Sequence, residues 1–138
     1  QQIHSGNRFF FSPMRFYFST QSGSFDLAKS DIWGVGISLF YLLHLPHARR
    51  YELFTLHHSM SQQKWDKTLY QKELDELLTF PSQTPKLLMQ FIQQILVVDD
   101  ADRPDAATLL KHSLFSQVAW LDDKLTRSEI FKRLPCTP

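Results

Sequence analysis

The chain has 138 residues, with 15 Lys and Arg against 14 Asp and Glu and a formal charge of +1. That length suits one domain-sized unit, and the near-balance of charge excludes a dedicated nucleic-acid binder, whose phosphate contacts need a clear basic excess. The lone cysteine, Cys136, cannot build a disulfide framework or a Cys-based zinc site, which points to a reducing, intracellular (cytoplasmic) setting.

Residues 1–25 carry Gly6, Pro13, Gly23 and many Ser, Thr and Gln, so they read as loop and short extended pieces. They are also dense in Phe, from Phe9 to Phe25, and need apolar partners. No charged-then-apolar leader opens the chain. Gln1 is not Met, which is compatible with the chain being a piece of a longer protein.

Ser30 is an expected N-cap for a helix over 31–44 that is apolar nearly all round, and such a helix should be surrounded by protein. The longest apolar stretch, Ile32 to Leu45, is 14 residues and broken by Ser38 and His44. A bilayer span needs about 20, so no membrane partner is expected. Gly34 and Gly36 each cost roughly 1 kcal/mol of helix propensity, which suggests close approach by another backbone. Pro46 stops this helix, and 47–60, with His47, Arg49, Arg50, His57 and His58, reads as an exposed connection holding at most one turn of helix.

Trp65, Leu69, Leu74, Leu77 and Leu78 predict an amphipathic helix over 61–78. Thr84 and Pro85 mark the next start, as N-cap and first helical residue. Leu87, Leu88, Phe91, Ile92, Ile95 and Leu96 make its apolar stripe. Asp99 to Pro104 is a turn before another Pro-started helix to about His112, and a last helix is expected over 117–134. The fold class is therefore mainly α, with four to five helices around a central buried helix and an irregular aromatic N-terminal arm. Residues 1–116 form the body and 117–138 a helical extension and tail.

Candidate chemistry is sparse. Gly34-Val35-Gly36 lacks the third glycine and preceding strand of a phosphate loop. Asp99, Asp100, Asp102 and Asp105 lack the glycine and the bidentate Glu of an EF-hand and suit helix capping better. His44, His47, His57 and His58 read as exposed loop histidines, and Cys136 has no paired His. No metal or cofactor site is expected in the chain.

Three ordered segments nonetheless resemble one family. Gly6-Asn7-Arg8-Phe9-Phe10-Phe11-Ser12-Pro13-Met14 is similar to the end of the activation segment of protein kinases, usually G-T-x-x-Y-x-[AS]-P-E. Seventeen residues after Met14, Asp31-Ile32-Trp33-Gly34-Val35-Gly36 resembles the D-x-W-x-x-G that opens their central helix. Leu96 to Pro104, followed by Leu109-Leu110-Lys111-His112-Ser113-Leu114-Phe115, resembles the closing helices of the Ser/Thr branch. The resemblance implies a C-terminal portion of a Ser/Thr kinase large lobe. Phe10, Phe11, Ser12 and Pro13 would form the substrate platform, and Asp31 would accept hydrogen bonds from the catalytic-loop backbone. Trp33 and Gly36 would pack the central helix against the activation segment, and Arg103 would pair with the P-E glutamate.

This sequence departs from the pattern at Met14, which replaces that glutamate, and at Asn7, which replaces the threonine. Arg103 is expected to find another carboxylate, such as Asp26 or Asp99, or to turn to solvent. The Gly-rich loop, strand Lys, H-R-D and D-F-G are absent from the 138 residues. No catalytic residue is therefore expected here, and the ATP and Mg²⁺ of an intact parent kinase would be held elsewhere. The expected partner is a protein: a substrate, the upstream kinase segment, or a scaffold partner if the chain is a pseudokinase. An unrelated helical interaction module is the remaining alternative.

Overall fold

Asp26, four residues before the expected cap, starts the longest helix of the computed structural model, which describes residues 7–19 and 22–116. Its carboxylate accepts the Lys29 N–H at 3.0 Å, satisfying one of the donors that every helix leaves open at its start. In chain order the helices are α1 (Pro13–Phe18), α2 (Leu27–Leu43), α3 (Arg50–Ser61), α4 (Lys67–Leu77), α5 (Lys86–Ile95), α6 (Ala106–Leu109) and α7 (Ser113–Ser116). Short 3-10 turns occupy Arg8–Phe10 and Asp100–Asp102. The described residues are thus mainly helical, with no strand among them. No helix of the described residues is long and apolar enough to cross a membrane.

Several expectations need correction. The N-terminal arm contains a true helix: Ser12 caps α1, with its Oγ accepting the Arg15 N–H at 3.2 Å, and Pro13 takes the first helical position. The segment expected as an exposed connection is the 12-residue α3. Its Leu53, His57 and Met60 recur at helical spacing and are buried, so His57 is a core residue and not a loop histidine. The predicted helix over 61–78 is split, because Ser61 ends α3 and Asp66 caps α4. Thr84 does not cap α5; Pro85 stands at the cap position and the Thr84 hydroxyl has no hydrogen bond among the described residues. The expected helix after Pro104 is one turn, α6, capped by Asp105 and followed by α7. The helix expected over 117–134 lies outside the described residues.

The core gathers Trp33, Ile37 and Phe40 of α2, Leu53 and Met60 of α3, Tyr70 and Leu74 of α4, and Phe91, Ile92 and Ile95 of α5. α2 packs most extensively on α5, while α3 bridges α1 and α4. α2 is not enclosed all round. Leu27, Asp31, Val35 and Leu42 are exposed, and their spacing places them along one side of the helix.

The two helix glycines do different jobs. A Cβ on Gly36 would lie 2.5 Å from Ile95 Cγ2 and 3.1 Å from Leu96 Cδ2, whereas one on Gly34 would meet nothing within 4 Å. Gly36 therefore sets the α2–α5 approach, through side chains and not through another backbone, and Gly34 does not. Gly36→Ala is expected to destabilise by about 1–3 kcal/mol through overpacking. Gly34→Ala is expected to stabilise by up to about 1 kcal/mol through helix propensity. Urea titrations of the two variants check this, and similar effects from both would contradict the packing.

Candidate functional site

The residues singled out in the sequence fall into two adjoining regions joined by α2. The first is the arm. Asn7 Oδ1 accepts the Phe9 N–H at 3.0 Å and so starts the 3-10 turn. The Phe9 carbonyl accepts the Tyr41 hydroxyl at 2.6 Å, tying the turn to α2. Burial pushes the Tyr41 phenol well above its usual pKa, with Arg50 opposing, so it stays a neutral donor. Phe10 is half-buried and meets Tyr41 edge-on at 5.3 Å. Phe11, Ser12 and Pro13 are buried. Of the expected platform residues, Phe10 alone reaches the surface in part, and the other three support it from beneath.

The second region is the turn around Arg103, which is 1 % exposed. Its Nη1 donates to Asp100 Oδ1 at 2.8 Å and to the Lys29 carbonyl at 3.0 Å. Nε donates to the Ile95 carbonyl at 3.0 Å and Nη2 to the Val97 carbonyl. The Trp33 ring lies 5.4 Å from the guanidinium carbon. Burial lowers the Arg103 pKa from its ordinary value, and the Asp100 hydrogen bond opposes this; an arginine so paired remains cationic.

Arg103 does find another carboxylate, as expected, but it is Asp100 and not Asp26 or Asp99, the two candidates named from the sequence. The 3-10 turn brings residues three apart onto one side, which sets Asp100 against Arg103. Asp99 and Asp26 are occupied elsewhere. Asp99 accepts the Ala101 N–H and pairs with Lys67 at 2.7 Å, while Asp26 caps α2.

Asp100 also joins the two regions. Its Oδ2 accepts the Asp26 N–H at 2.8 Å, and its own N–H points to Met14 Sδ at 3.2 Å. Lys29 Nζ reaches the Asp100 and Arg103 carbonyls. The start of α2, the end of the arm and the Arg103 turn are thus joined in one polar latch around the buried Arg103–Asp100 pair. Met14 sits at this latch as the thioether acceptor of the Asp100 N–H, and the carboxylate beside Arg103 comes from Asp100 on its own turn.

Along α2, Trp33 and Gly36 are buried against this interior, while Asp31 is exposed. Asp31 lines a shallow groove with Phe10, Gly34, Val35, Ser38 and Leu39. No family model, curated protein or solved structure matches the chain.

A buried polar pair between α3 and α4 completes the picture. His57 and Tyr70, both buried, share a hydrogen bond between Nδ1 and the hydroxyl. Burial pushes the His57 imidazole down to about 3, with the Phe11 backbone pulling the other way, and pushes Tyr70 well up. The helical spacing Leu53, His57, Met60 was the available signal, masked by the polar residues around it. The Asp-x-x-Arg spacing at 100–103 was the signal for the latch. Among the described residues, no cluster of three His, Cys, Asp or Glu could hold a metal ion. Gly6 and Cys136 lie outside the described residues.

Proposed function

We propose that this chain is the C-terminal portion of a Ser/Thr protein kinase large lobe, supplying the structural core and the substrate platform and carrying no catalytic group of its own. The observation that carries this reading is the disposition of the three motifs around α2. Trp33 and Gly36 face the interior, Arg103 is buried against Trp33, and Asp31 stands exposed at the edge of a shallow groove. An acid that served only α2 would be expected to cap it, yet Asp26 does that. Asp31 is instead available to accept backbone N–H donors from a segment laid along the groove, the role that the resemblance gives it. ATP and Mg²⁺ would belong to that upstream segment.

A pseudokinase or scaffold is the second reading, favoured by Met14. With Asp100 already serving Arg103, the latch holds without a carboxylate at position 14. The two readings share a fold and differ in whether phosphate is transferred.

The transcript upstream of Gln1 separates them. The first reading expects an in-frame Gly-rich loop, strand Lys, H-R-D and D-F-G, and an open frame without them leaves the scaffold. For the 138-residue chain, Mg²⁺-ATP is expected to leave the melting temperature unchanged. A reproducible rise would place a nucleotide site where neither reading puts one.

A further inference from the structure

The outer face of the arm carries a patch that neither reading uses. The Arg8 guanidinium lies 4.6 Å from the Phe16 ring centre. From Phe16 the rings run on through Phe54 at 5.4 Å to Phe9 at 5.1 Å and Tyr51 at 5.3 Å. Arg50 closes the row, 5.8 Å from Phe9 and 5.6 Å from Tyr51. Both arginines are exposed, and Tyr51 is 65 % exposed.

Among the described residues these cations have no carboxylate of their own. No Asp or Glu occurs before Asp26 in the chain. The nearest acid in sequence to Arg50, Glu52, is held by Arg49 at 3.0 Å. Among the described residues no carboxylate pairs with Arg8 or Arg50. Arg50 does not serve the helix either, since a cation in a first helical turn opposes the macrodipole. A guanidinium lying on a ring is held in place while its N–H edge stays free for a planar carboxylate.

We propose that this arginine–aromatic face docks an acidic protein segment, with spaced Asp or Glu side chains engaging Arg8 and Arg50 and the segment's apolar parts lying on Phe9 and Tyr51. Two cations are too few for a nucleic-acid backbone. They are also fewer than the four to eight that a polybasic lipid-binding segment typically carries. The two arginines stand on different rings with the Phe54–Phe9 pair between them, which suits two spaced carboxylates better than one phosphate. Docking needs no phosphate transfer, so the proposal stands or falls apart from the kinase reading.

The test uses the full chain and a fluorescein-labelled peptide of alternating Glu and Ala, read by fluorescence anisotropy at low and physiological salt. Binding is expected for this peptide, weakening with salt, and not for its Gln counterpart. R8Q and R50Q should each weaken binding about tenfold while leaving the melting temperature unchanged. R50K should weaken it as well, because an ammonium lacks the planar fork. Absent binding, equal binding of the Glu and Gln peptides, or wild-type affinity in both Arg→Gln variants would overturn the proposal. So would tighter binding of a singly phosphorylated Ala-rich peptide, or of phosphatidylserine vesicles, than of the Glu peptide.

Discussion

Asp100→Ala is expected to lower the unfolding free energy by about 3–5 kcal/mol. The reason is what it leaves behind. Arg103 is held in place by three backbone carbonyls and the Trp33 ring, so it cannot swing to water when its carboxylate is removed. The change strands a buried cation and also removes the acceptor of the Asp26 N–H. Asp100→Asn keeps an acceptor oxygen but not the charge, so its loss should be smaller. Asp26→Ala should cost only about 1 kcal/mol, a typical helix cap, because its backbone N–H still reaches Asp100. Urea unfolding of the three variants gives the order directly. A loss below about 1 kcal/mol for Asp100→Ala would mean that Arg103 has another partner.

The second large effect is in pH. His57 is packed among Phe16 at 5.1 Å, Tyr70 at 5.7 Å and Trp33 at 6.2 Å. Its folded pKa is about 3 against 6.5 for the free side chain. Above pH 6.5 both the folded and the unfolded chain keep this imidazole neutral, and it adds no pH dependence. Below pH 6.5 the unfolded chain takes up a proton that the folded chain refuses, so stability falls as pH falls, through the window down to about pH 3. The slope is about 1.4 kcal/mol per pH unit, or about 2 kcal/mol lost by pH 5. Asp99 and Asp105, whose pKa values are lowered by the Lys67 and Thr108 hydrogen bonds respectively, act in the same direction only at lower pH, where unfolded carboxylates protonate. The double variant His57→Phe with Tyr70→Phe removes both polar groups together, so comparing urea midpoints of the two chains between pH 7.5 and 5 isolates His57. The variant should lose about 2 kcal/mol less than the parent chain between pH 6.5 and 5. An equal loss in both chains would place its origin elsewhere.

Much of the local structure was legible in the sequence because its causes are local. The apolar stripe Leu88, Phe91, Ile92, Ile95 and the Pro85 that precedes it mark α5 to within one residue. Asp99 and Asp105 cap the turns that follow them, as their positions before short helical runs suggested. The end of α2 before Pro46 was equally plain, because proline cannot continue a helix. Where local signals compete, a contact distant in sequence decides between them. Ser30 and Asp26 are both good caps, and what selects Asp26 is the hydrogen bond from its N–H to Asp100, far along the chain. In α3 the buried Leu53, His57, Met60 row was hidden by interleaved Arg, Thr and His.

The candidate site divides in the same way. The resemblance to protein kinases, and not composition or periodicity, singles out Phe10 to Pro13, Met14, Asp31, Trp33, Gly36 and Arg103. Which of them are buried, which carboxylate answers Arg103, and which side of α2 is left open depend on how distant segments pack. Capping and helical periodicity act over about four residues and can be read along the chain. The Asp26–Asp100, Lys29–Arg103 and His57–Tyr70 contacts are set by the distances at which α2, α3 and α4 meet the last turns, and no interval of sequence encodes those distances.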